Sequence, residues 1–276
     1  MAADRRPLVM GVVNTTPDSF SDGGRFLGAE AAIAHARALL AQGADLLDIG
    51  GESTRPGATP VPVEEELRRI LPVIQAVRAE SRVPLSVDTM KPEVMRGAAA
   101  AGADIWNDVT ALRFSPSSAA VAAELGCGVI LMHMQGEPGT MQDNPVYGDV
   151  VAEVVAFLAA RAEAAMAAGV RREAIWVDPG IGFGKTLEHN LDLLAHLGRL
   201  KAIGCRTVLG VSRKRFLRAI DPAAVEAEDR LGGSLAGALV GAEAGVDAVR
   251  VHDVRETVQA LKVWSAVSAV RPAGAS

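Results

Sequence analysis

The chain has 276 residues, 49% hydrophobic and 22% charged, which excludes a disordered or collagen-like polymer and suits one large folded unit. A net charge of −5 argues against a nucleic-acid surface built on bulk positive charge, while leaving room for a small local anion pocket. Two cysteines, Cys127 and Cys205, without a C-x-x-C spacing argue against a disulfide framework or a structural zinc site and point to a reducing, cytoplasmic compartment.

The first β-rich run, 8–14, is too short and too quickly followed by polar Thr15 and Thr16 to be a secretory leader, and no later run approaches a membrane span. A helical period follows at 29–42, then a β-rich run at 45–51 and a second helical stretch at 63–80. Glu64, Glu65 and Glu66 sit where the helix dipole favours anions, and Pro72 predicts a kink or a split. β-rich runs at 85–89, 105–109 and 129–134 precede a helical stretch at 149–168; runs at 175–179 and 207–212, a helix at 229–244 and a last run at 248–252 complete the chain. The runs start roughly 34 residues apart, which is what a strand, a helix and two loops consume. Eight βα units with no linker or low-complexity tract between them predict a closed (β/α)8 barrel of parallel strands, one domain over 1–276 with its core at about 8–263.

The runs end in polar residues: Asn14, Asp48, Asp88, Asn107 with Asp108, His133, Asp178, Ser212 and His252. One such residue reads as a strand terminator, but eight in succession would converge on the C-terminal face of a barrel, where active sites of this architecture lie. Arg250 and His252 are two apart, so both side chains leave one face of their strand and form an anion clamp, to which Arg55 can add a cation from the second βα loop. The glycines at 180, 182 and 184 before Lys185 fail both nucleotide-binding spacings: a Walker A loop needs glycine where Pro179 stands, and G-x-G-x-x-G needs it at Lys185. The run therefore reads as a tight loop presenting Phe183. His35, His189 and His196 lack metal-ligand spacing and read as surface residues, His133 as a supporting residue behind the site, and the two cysteines as inert at the barrel bottom.

Three segments go beyond composition: MGVVNTTPDSFSDGG at 10–24, DIGGESTRPG at 48–57 and DPGIGFGK at 178–185. Together with SVDT at 86–89, ND at 107–108, SRK at 212–214 and RVHD at 250–253, they make the chain resemble the bacterial dihydropteroate synthase family from about residue 8 to 263. The resemblance implies condensation of 6-hydroxymethyl-7,8-dihydropterin pyrophosphate with p-aminobenzoate, a magnesium cofactor and a homodimer joined through barrel helices. It implies a pterin pocket of Asp88, Asn107, Asp178 and Lys214. A carboxylate such as Asp178 can accept the side-by-side N–H and amino donors of a pyrimidinone edge. It implies pyrophosphate contacts from Thr54, Arg55, Arg250 and His252, with Asn14 also reaching the metal, and a p-aminobenzoate slot from Phe20, Pro56, Phe183 and Ser212. Catalytic duty falls to Asp88, Lys214, Arg55 and Asp22, the last bonding across to Arg55 when the first two loops close. Thr15 and Arg215 stand where the family more often has valine and serine. Two rival readings are a non-catalytic pterin-binding paralogue, opposed by the intact loop motifs, and a methyltetrahydrofolate-binding methyltransferase domain, which has no use for the cationic clamp.

Overall fold

The structure, a computed structural model, describes residues 6–15, 25–53, 59–136 and 139–270, and of residues 25–27 it describes the backbone. Strands and helices alternate, with two helices between the last two strands: β1 (Leu8–Asn14), α1 (Arg25–Ala41), β2 (Leu46–Gly50), α2 (Val63–Glu80), β3 (Leu85–Asp88), α3 (Pro92–Ala100), β4 (Ile105–Asp108), α4 (Ser118–Leu125) and β5 (Gly128–Met132). There follow α5 (Val150–Ala167), β6 (Ile175–Asp178), α6 (Leu187–Ala195), β7 (Arg206–Gly210), α7 (Arg215–Ile220), α8 (Leu231–Ala244), β8 (Ala248–Val251) and α9 (Val254–Val270). All strand pairs are parallel, each strand neighbours the next, and β8 returns to β1 through Leu8↔Ala248 to Gly11↔Val251. The sheet is the closed barrel that the alternation predicts.

Side-chain parity explains why both faces of the sheet are apolar. Val9, Leu47, Leu85, Val87, Val129, Val177, Leu209 and Val249 point outward into a core shared with the helices. Met10, Leu46, Ile105, Ile130, Trp176, Val208 and Ala248 point inward and fill the lower barrel as a layer of their own. Two residues further along most strands the inward positions turn polar, and this is where the candidate site begins.

Helix α2 shows how the outer ring attaches: Glu66, Ile70, Val73, Ile74 and Val77 form one buried stripe at helical spacing. Pro72 lies inside this helix, which runs through 63–80 as a single element and is not split. The missing N–H of a proline costs one ladder bond, and the buried stripe on both sides of it holds the two halves in register. The other helical stretches lie within a few residues of their expected bounds; Asp149 caps α5, its carboxylate accepting from the Ala152 amide at 2.9 Å. Among the described residues no helix is long and apolar enough to cross a membrane.

Candidate active site

The inward positions nearest the strand C-termini bring the polar residues together. Asn14, Gly50 and Asp88 stand in register across β1, β2 and β3, and Asp88 faces Asn107 on β4. A Cβ built on Gly50 would lie 3.9 Å from Asn14 Oδ1 and 4.0 Å from Asp88 Oδ2, so the glycine keeps a gap between the two side chains. On the opposite wall a Cβ on Gly210 would lie 3.6 Å from Lys214 Nζ, 3.8 Å from Asp178 Oδ2 and 3.9 Å from Arg250 Cβ. Asp88, Asn107, Asp178, Lys214 and Arg250 thus gather at one end of the barrel, above its apolar filling.

Asp48 and Asp88 neutralise Arg250. The guanidinium donates from Nε to Asp48 Oδ2 at 2.6 Å and from Nη2 to Asp88 Oδ2 at 3.1 Å, while Asn107 Nδ2 donates to the same Asp48 oxygen at 3.1 Å. Asp48 is fully buried, and among the described residues its other oxygen, Oδ1, has no hydrogen-bond partner. Arg250, read from the sequence as half of an anion clamp with His252, here directs its charge at these two carboxylates. His252 instead meets Ser212, whose Oγ lies 3.1 Å from His252 Nδ1 and accepts from the His252 amide at 3.2 Å. Ser212, expected in the aryl-amine slot, is buried against that histidine.

Burial dominates the protonation of these groups. It pushes the Asp88 carboxyl up to about 7 against the pull of Arg250, with Asp48 adding to the rise. It raises Asp178 too, opposed by Lys214 and by the Gly180 amide. It lowers Lys214 to about 8, with Asp178 acting the other way. The Lys214 ammonium donates to the Ile181 carbonyl and lies 4.7 Å from the centre of the Phe183 ring, and Phe183 packs beside Val109, Met132, Met134 and Met141.

Motifs that are far apart in sequence interlock. In SRK and RVHD, Ser212 meets His252 and Arg213 grips both oxygens of Asp253, at 3.1 and 2.6 Å, from a backbone with φ +60°. That grip holds the segment that delivers Lys214. Asp108, grouped with Asn107 as a polar strand end, faces away from the barrel mouth. Its oxygens accept from the Thr110 amide at 2.7 Å and the Leu112 amide at 2.8 Å, bracing a turn in which Ala111 and Leu112 have positive φ. His189 is no bystander: with Thr186 it forms the capping box that starts α6. His35 and His196 are exposed, and Cys127 and Cys205 precede β5 and β7 at the barrel bottom. Thr15 is buried, its hydroxyl donating to the Gly50 carbonyl at 3.0 Å, and Arg215 is exposed at the start of α7. Phe20, Asp22, Thr54, Arg55 and Pro56 lie outside the described residues.

Gly180 is indispensable to the turn after β6. Its φ is +67°, and a Cβ there would fall 1.9 Å from the His133 carbonyl oxygen. Gly180→Ala is expected to destabilise the fold by about 1–3 kcal/mol or more from backbone strain alone, read as a shift of the urea midpoint at constant slope. An unshifted midpoint would show that the β5 and β6 turns can part without cost.

The family of pterin binding enzymes matches residues 10–252. The chain is 46% identical over 260 residues to the dihydropteroate synthase of Escherichia coli (strain K12), covering 94% of this chain and 91% of that one. It is 49% identical over 267 residues to that of Neisseria meningitidis serogroup B, covering 95% and 93%. Among solved structures, Xanthomonas albilineans dihydropteroate synthase with 4-aminobenzoic acid superposes with a TM-score of 0.91 at 54% identity, covering 96% of this chain and 94% of that one. The same organism's enzyme in complex with 7,8-dihydropteroate gives 0.87 at 51% identity, covering 96% and 95%.

Proposed function

The chain belongs to the dihydropteroate synthases of the pterin-binding enzyme family, and on that footing we propose how its barrel mouth condenses 6-hydroxymethyl-7,8-dihydropterin pyrophosphate with p-aminobenzoate to 7,8-dihydropteroate and pyrophosphate. The observation that carries the reading is the convergence of Asp178, Lys214, Asn107 and Asp88 at one end of the barrel. Asp178 accepts the paired N–H and amino donors of the pterin, Lys214 donates to its ring carbonyl, and Asn107 and Asp88 meet the remaining polar edge. The orphaned Oδ1 of Asp48 is a buried acceptor beside them and suits a further donor of the same ring.

Bond making and breaking occur at the methylene carbon outside this pocket. The C–O bond to pyrophosphate breaks with its electron pair leaving on the phosphate, the amine nitrogen of p-aminobenzoate forms the new N–C bond, and its surplus proton passes to water. The carboxylates Asp88 and Asp178 favour positive charge spreading into the pterin ring as the leaving group departs. His252, with Arg55 and Thr54 from the second loop, takes the pyrophosphate; Arg250 joins them by exchanging a carboxylate for a phosphate oxygen. Phe183, Pro56 and Phe20 flank the aryl amine together with Ser212, and Asp22 with Arg55 closes the loops over it to exclude water. No covalent nucleophile is needed.

Magnesium fits the residues present. Asn14 offers a hard amide oxygen at the barrel mouth, close to the gap over Gly50. That suits an ion held mainly by substrate phosphates and water, with one protein oxygen. When bound it would supply charge neutralisation on the departing pyrophosphate. We further infer a homodimer, supported by exposed Val240 on α8 and by Val263 and Val267 on α9, and a cytoplasmic site of action, supported by the free thiols of Cys127 and Cys205.

Pyrophosphate release measured with each substrate alone and with both together tests the assignment. Release is expected only when pterin pyrophosphate, p-aminobenzoate and magnesium are all present. Release without the amine would mark a hydrolase and overturn it.

A further inference from the structure

Lys185 closes the glycine run at 180, 182 and 184, and none of the roles above uses it. It is 3% exposed, and its Nζ has four acceptors in reach: the Phe183 carbonyl at 2.9 Å, the Gly180 carbonyl at 3.0 Å, His133 Nδ1 at 3.0 Å and the His133 carbonyl at 3.3 Å. Burial lowers Lys185 to about 7 against the pull of Asp178, and in its ammonium form it is a compact donor of three protons that can point to converging acceptors, which a planar guanidinium cannot. Burial, aided by the charge of Lys185, pushes His133 down to about 3, so its ring stays neutral and accepts at Nδ1. Phe157 covers that ring edge-on, with centroids 4.9 Å apart, and His133 is buried.

The atoms that Lys185 holds belong to a turn that touches the pocket three times. The Gly180 amide donates to Asp178 Oδ1 at 2.7 Å, the Ile181 carbonyl accepts from Lys214, and the Phe183 ring lies beside the Lys214 ammonium. Two lysines therefore share one short stretch of backbone: Lys214 takes the carbonyl of Ile181, and Lys185 takes those of Gly180 and Phe183 on either side of it. Without Lys185 those two carbonyls and the one of His133 lose a buried donor. The turn then gains by rotating to find another, and Lys214 already donates to the Ile181 carbonyl between them.

We propose that Lys185 is a positioning residue of the pterin pocket: by clasping the 180–183 turn against His133 it sets the orientation of Asp178 and Lys214, and of Phe183 beside them. This rests on the pterin reading of the pocket and adds to it a residue that never touches the ring.

Lys185→Met keeps the length and apolar stem of the side chain and removes its donors. The folded variant is expected to bind bare 6-hydroxymethylpterin, by calorimetry, on the order of tenfold more weakly or worse, because the pocket groups are displaced. The KM for pterin pyrophosphate should rise by more than kcat falls. Hydrogen exchange should quicken at the amides of 180–184 and not in the strands, a local signature that a general loss of stability does not produce. Parental pterin affinity per folded molecule in Lys185→Met overturns the proposal, whatever its melting temperature. If Lys185→Met does not fold, His133→Ala removes the ring acceptor and leaves the lysine; a smaller loss of affinity in the same direction supports the clasp, and unchanged affinity overturns it. The pterin reading fails separately, and takes this proposal with it, if the unaltered chain binds no pterin in the same titration.

Discussion

Arg250→Met is expected to destabilise the protein by roughly 3–5 kcal/mol at pH 8, toward the lower figure because the Arg250 side chain retains 22% exposure. The loss comes less from the ion pairs themselves than from what stays behind: Asp48, fully buried, and Asp88 beside it, with no cation between them. The pH dependence follows from Asp88. Burial holds its carboxyl up to about 7 in the folded chain, whereas an unfolded aspartate titrates near ~4. The folded state therefore binds a proton more readily between those values, and stability falls as pH rises through that window. Without Arg250 the charged form of Asp88 costs still more, so the gap between variant and parent should be wide at pH 8 and narrower at pH 5. Urea titrations at both values decide the matter. Equal stability of the two chains at pH 8 would show that the carboxylates find another partner.

Asp178→Asn is expected to weaken binding of the bare pterin by about 1–3 kcal/mol, roughly five- to 150-fold. The reason lies on both sides of the carboxylate. Oδ1 accepts from the Gly180 amide at 2.7 Å, and the other oxygen faces Lys214 over Gly210, where the ring donors are proposed to arrive. An amide has one acceptor oxygen and one donor nitrogen. Turned one way, its NH2 opposes the Gly180 N–H; turned the other, it opposes Lys214 and the ligand's donors. Neither rotamer satisfies both. Calorimetry on the folded variant reads the effect, and parental affinity would remove Asp178 from the pocket.

The barrel was legible because the signal is redundant: each βα unit carries its own apolar run and its own polar end, so missing a helix boundary by four residues at Arg25 changes nothing above it. The convergence of Asp178, Asn107, Lys214 and Asp88 at one end of the barrel was legible from position and motif. Parity could have separated Asn107 from Asp108, since Ile105 fills the barrel and its neighbour two residues on must share that face. Partnership was not legible. Nothing local to Asp48 announces a guanidinium 202 residues away, and nothing in a failed nucleotide-binding spacing announces that Lys185 turns inward to hold the carbonyls of the loop before it. Those facts depend on which strands adjoin after closure.

The pairing of Arg250 with Asp48 and Asp88 also orders events during synthesis. The two carboxylates emerge with the second and third strands, and their counter-charge arrives on the eighth, 162 residues after Asp88. Until then a growing chain that collapsed early would have to bury two like charges, and β1 would present an unpaired edge to whatever lay nearby. The last strand ends both conditions at once. A chain cut short by about thirty residues, after β7 and α8, therefore lacks far more than one eighth of its barrel: it is left electrically unfinished at its centre and open at its seam. The counter-charge of the two carboxylates and the strand that closes the seam arrive together, so such a copy is expected to lack both the closed barrel and the assembled candidate site.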